Sequence, residues 1–142
     1  METEAEPRTS PTRGGSLRTA ALAAATLGAA GSVALMLRAG RGNPSRVLIL
    51  MFVVWVLSPF VLCVAADLLG KRWPASARMA LHAATIVVAL VTLAVYGGVV
   101  LGPPRPKIAR FFLLVPPASV LFAAIVVGAA GGLRGNRGKV TR

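Results

Sequence analysis

With 142 residues, 56% of them hydrophobic, and a mean hydropathy of +0.73, the chain gathers its apolar residues into long blocks rather than short alternations. That pattern excludes a water-soluble domain built from amphipathic helices and indicates one compact all-α unit in lipid. The net charge of +12 comes from 16 Lys and Arg against four acids, and the cations lie in tails, connections and helix margins with no aromatic-interleaved basic face, which excludes nucleic-acid binding.

Residues 1–16 are acidic and rich in Thr, Ser, Gly and Pro, with few large apolar residues, and are expected to form a disordered tail. The first membrane span is placed at residues 17–37, where Arg18 is the only charge among Ala, Gly and Leu. Arg8, Arg13 and Arg18 before an apolar run also suggest a cleaved signal peptide. The run is longer than a usual signal core, lacks a clean small-x-small site at its end and is followed by Arg38, so a retained span is the preferred reading.

After a polar connection with turn residues Gly40, Gly42, Asn43 and Pro44, the second span covers residues 47–70. At about 36 Å it is longer than a ~30 Å hydrocarbon layer and must tilt or bend. Pro59 supplies a kink, because it removes one backbone donor and frees a carbonyl one turn back. Trp73 and Pro74 lie in the second connection, where an aromatic belongs at headgroup level. The third span, residues 79–102, has a β-branched centre and stops at Gly102-Pro103-Pro104. The fourth covers residues 111–133, with Pro116 and Pro117 breaking its opening turns, and residues 134–142 form a basic tail. Short connections are expected to join antiparallel neighbours in this four-helix bundle.

Four spans put both tails on one side together with the second connection. That side holds Arg8, Arg13, Arg18, Lys71, Arg72, Arg78, Arg134, Arg137, Lys139 and Arg142, against Arg38, Arg41, Arg46, Arg105, Lys107 and Arg110 on the other, so both ends are expected in the cytoplasm. These cations would be drawn to anionic headgroups, each by about 1 kcal/mol near the surface.

Small residues recur every four positions at Ala20, Ala24, Gly28 and Ser32, and again at Ala124, Gly128 and Gly132, with a shorter pair at Gly98 and Gly102. Such ridges let helix backbones approach closely, either within one bundle or across a homo-oligomer seam. Asp67 is the only acid beyond the amino-terminal tail. Its i, i+4 spacing to Lys71 predicts an ion pair at the interface, and a buried role in proton or ion coupling is the alternative. His82, with no second ligand at metal spacing, is expected at the interface, and Cys63 as a small apolar filler that excludes an intrachain disulfide. Trp55 and Tyr96 lie within spans, so each polar hydrogen needs a partner in a helix-packing contact or a small pocket. No nucleophile beside a base, paired carboxylates or phosphate loop is visible; neither an enzyme nor a cofactor is expected.

Trp55-Val56-Leu57-Ser58-Pro59-Phe60 and Phe112-Leu113-Leu114-Val115-Pro116 carry a resemblance. From Val47 to Leu133 the layout resembles a loose group of short uncharacterised bacterial multi-pass inner-membrane proteins, which implies location but no activity. Small multidrug-resistance transporters are similar in size alone, because their membrane-embedded Glu has no counterpart in the first span. A vitamin K epoxide reductase-like chemistry would need a Cys pair where Cys63 stands alone. The expected function is a structural or accessory membrane subunit; the alternative is a minimal oligomeric transporter or channel with Asp67, Pro59 and Pro116-Pro117 as its working parts.

Overall fold

The computed structural model describes residues 13–103 and 109–137. Within them the chain forms α1 (Arg13–Ala39), α2 (Arg46–Leu69), α3 (Ala75–Val100) and α4 (Ala109–Arg137), with a 3₁₀ turn, Gly70–Arg72, after α2. All four are long and apolar enough to cross a membrane, and the chain is a multi-pass membrane protein of all-α class. The acidic tail up to residue 12 and the basic tail from residue 138 lie outside the described residues. Residues 13–16, expected in the tail, are instead helical.

Local chemistry sets the helix ends. Asn43 Oδ1 accepts from the Ser45 amide at 2.9 Å, and Ser45 Oγ then accepts from the Leu48 amide at 3.3 Å, which caps α2. Pro74 fixes its φ at −56° and its carbonyl accepts from the Arg78 amide at 3.1 Å. α3 therefore starts at Ala75, within the segment expected to be a connection, because proline is pre-organised for a helix start.

α1 packs on α3 and α2, and α4 packs on α3 and α2, giving the order α1, α3, α4, α2 around the bundle. The closest pairing is between α1 and α3, which run parallel. α2 and α3, although joined by the shortest connection, approach least of these pairs and meet across the centre. The rule that short connections join neighbours holds for α1/α2 and yields for α2/α3, because α1 is thin enough to draw α3 against it. On α1 the buried positions are Ala21, Ala25, Gly28, Ser32 and Met36, a 3.6-residue stripe, whereas Ala20 is exposed. A strict four-residue repeat drifts by about 40° per step around an α-helix and leaves the contact face.

Three layers fill the interior. Met36, Val56, Tyr96 and Phe112 pack at the end that holds the first connection, with the Tyr96 and Phe112 rings 4.3 Å apart at centroids. Ala25, Phe60, Val88 and Ala89 form the middle, and Cys63, Ala84 and Ala123 lie toward the other end. Outward faces carry Leu50, Met51, Val54, Val61, Leu90, Leu114, Leu121 and Ile125 in the open. An apolar exterior of this extent is stable only against acyl chains or another apolar surface.

Candidate functional site

Asp67 occupies the last turn of α2, the negative end of that helix dipole, which is an unfavourable place for a carboxylate. The fold corrects this by setting the amino-terminal turns of α1 and α3 around it. Arg18 Nε of α1 donates to Asp67 Oδ2 at 2.9 Å, and His82 Nε2 of α3 lies 2.8 Å from Oδ1. Asp67 and His82 are buried, while the Arg18 side chain keeps 43% of its surface exposed and can send its terminal amino groups toward headgroups. With the carboxylate ionised, the proton on Nε2 is the one donated. The three residues clasp the ends of three helices with one acid.

The expected Asp67–Lys71 pair is therefore replaced. Both carboxylate oxygens are taken, and Lys71 is exposed on the 3₁₀ turn, whose tighter winding carries it off the α-helical i, i+4 face. His82, eight residues into α3, is buried against Asp67. Among the described residues no group of three or more His, Cys, Asp or Glu could hold a metal ion. Cys63 is a free thiol buried in the third layer.

The small-residue positions divide. A Cβ at Gly28 would lie 2.7 Å from Phe60 Cε1 and 2.8 Å from Ala89 Cβ, so the absence of a side chain sets how close α1, α2 and α3 come. At Gly31, not singled out by the repeat, a Cβ would meet only the end of the Leu93 side chain, Cδ2 at 2.5 Å, which a rotamer change can relieve. Ser32 is fully buried in the same seam. Gly98 and Gly128 face open space, and Gly102 would meet only the backbone of Gly98 at its own helix end, so none of the three seats a helix contact within this bundle. On α4 it is Ala123 that is buried. Gly132 lies in α4 beyond the residues whose packing is described.

Two of the proline-freed carbonyls, those of Trp55 and Leu113, find side-chain donors. Pro59 leaves the Trp55 carbonyl without its helical partner, and Ser58 Oγ donates to it at 2.7 Å. Pro117 leaves the Leu113 carbonyl bare, and Trp55 Nε1 of α2 donates to that oxygen at 3.1 Å. One indole thus fulfils its own need for an acceptor and closes a gap in α4. Pro59 and Pro116 are buried, and both helices run through their prolines without interruption. Tyr96 is fully buried, but its hydroxyl, like those of Ser32 and Thr92, has no hydrogen-bond partner among the described residues.

Arg18 and His82 lie 49 and 15 residues from Asp67, so no local spacing in the sequence marks them as its partners. Comparison with protein-family models, with curated proteins and with solved structures finds no match to this chain.

Proposed function

We propose that this multi-pass protein is a structural or accessory subunit of the bacterial inner membrane, akin to the loose group it resembles, with both termini in the cytoplasm and no catalysis of its own. It acts by packing, against itself or within a larger membrane complex. The observation that carries this reading is the closure of its one described acid: Asp67 is buried and both its oxygens are occupied by Arg18 and His82. The cavities support it, because they are apolar furrows along seams between helices, such as that of Val91, Val95, Ala118 and Phe122 between α3 and α4. A transport path would instead need convergent polar groups reachable by water.

The test is affinity purification of the tagged full chain in mild detergent, with native mass measurement and identification of co-purifying proteins. A stoichiometric membrane partner or a discrete oligomer is the expected result, and recovery as a solitary monomer would refute it. Tags at the two ends should both be protected from external protease in intact cells.

A second reading, a minimal oligomeric transporter or channel, is favoured by one observation: a buried carboxylate–imidazole pair within a candidate span. Proton or cation flux in proteoliposomes that vanishes in Asp67→Asn would establish it; absence of flux above protein-free vesicles would end it.

A further inference from the structure

We propose that the end of the bundle bearing Trp73 holds an anionic phospholipid, with one acyl chain in a furrow between α2 and α4 and the phosphate at Lys71 and Arg72. The furrow has a volume of about 390 Å³ and runs from Pro59 past Cys63 and Ala66 on α2, with Ala124 and Gly128 on α4 and Leu81 of α3 behind it. That volume lies within the range of small-molecule sites, and its lining is almost wholly apolar. From residue 59 to 66 of α2 and from 120 to 128 of α4 it extends about 10–12 Å along the helices, most of the ~15 Å depth of one leaflet.

Small side chains keep the furrow open. A Cβ on Gly128 would meet nothing within 4 Å, so the two helices part here, although they are tied nearer the other end by the Trp55–Leu113 hydrogen bond. Trp73 forms the lip. Its indole lies against Gly70, where an added Cβ would come within 2.9 Å of the ring, and its amide donates to the Gly70 carbonyl at 3.0 Å. The glycine therefore seats the aromatic at the mouth, the headgroup position that tryptophan favours.

Charge selects the occupant. The turn that carries Trp73 also carries Lys71 and Arg72, both exposed, and neither has an ion-pair partner among the described residues. Asp67, the acid nearest in sequence, is buried in its contacts with Arg18 and His82. An apolar furrow of leaflet depth beneath uncompensated cations is complementary to a lipid with a net negative headgroup. A neutral chain or a second copy's apolar helix would leave both cations unanswered. The site requires membrane insertion but neither the accessory nor the transport reading.

The experiment uses the full chain, delipidated in mild detergent and titrated with dioleoyl phosphatidylglycerol or dioleoyl phosphatidylcholine, with adducts counted by native mass spectrometry. Two juxtamembrane cations together supply a preference of roughly thirtyfold for the anionic lipid. The double variant Lys71→Gln/Arg72→Gln is expected to abolish the preference while both lipids still bind. Ala124→Leu, on an exposed furrow wall, is expected to weaken both lipids with helical content unchanged. Equal retention of the two lipids by the unaltered chain overturns the proposal. So does a preference that survives the double variant, or a delipidated dimer that cross-links through Cys63 in the furrow and excludes lipid.

Discussion

Replacing Trp55 by Phe removes the indole donor while keeping an aromatic ring, and so strips the Leu113 carbonyl of the hydrogen bond that Pro117 makes necessary. Trp55 and Leu113 are both on the outer surface, so in a bilayer the bared oxygen faces acyl chains and finds no water. Interhelical hydrogen bonds in membranes average about 0.6 kcal/mol and reach about 1.7, and a carbonyl without a fallback belongs near the upper figure, about 1–1.5 kcal/mol. Pro117→Ala supplies an amide that can satisfy Leu113 within α4. In that background Trp55→Phe should cost only its small packing difference, leaving a coupling of about 1 kcal/mol in the double-mutant cycle. The assay is reversible unfolding in mixed micelles with increasing sodium dodecyl sulfate, followed by far-ultraviolet circular dichroism. Equal costs for Trp55→Phe with and without Pro117 would refute the account.

Gly28→Ala should destabilise by about 1–3 kcal/mol in the same assay, because its new Cβ collides with Phe60 and Ala89, whereas Gly128→Ala should be neutral or stabilise by up to about 1 kcal/mol through helix propensity. Asp67→Asn should cost about 1–3 kcal/mol through lost charge-assisted hydrogen bonds, and Arg18→Gln less, because the Arg18 side chain is 43% exposed and half-solvated already. Equal losses for the two would contradict the burial of the carboxylate as their cause. Tyr96→Phe removes a buried hydroxyl without a described partner, so unfolding resistance should hold or rise; a loss above about 1 kcal/mol would reveal a bound water or ligand in that seam.

The spans were legible in advance because a run of apolar residues of bilayer length is a local property, independent of what it packs against. Expected boundaries at 17–37, 47–70, 79–102 and 111–133 fall within a few residues of the helices; the clearest departure is at Ala75, where proline geometry rather than hydropathy sets the start of α3. The need of Trp55 and of the proline-freed carbonyls for partners was also legible, since unsatisfied backbone is intolerable in lipid, but which donor met which acceptor was not.

Composition and order along the chain alone thus determined the solvent, the number of helices long and apolar enough to cross it, and the carbonyls that Pro59, Pro116 and Pro117 leave without a helical donor. Tertiary packing decided the rest. It chose Gly28 over Gly98, Gly102 and Gly128 as a point of close approach, set α3 rather than α2 as the closest neighbour of α1, and turned Asp67 from the nearby Lys71 to Arg18 and His82. Transfer into lipid acts on each segment separately and can be summed along a sequence. A contact between side chains 49 residues apart exists only once helix rotation and order around the bundle are fixed, and those depend on every helix at once.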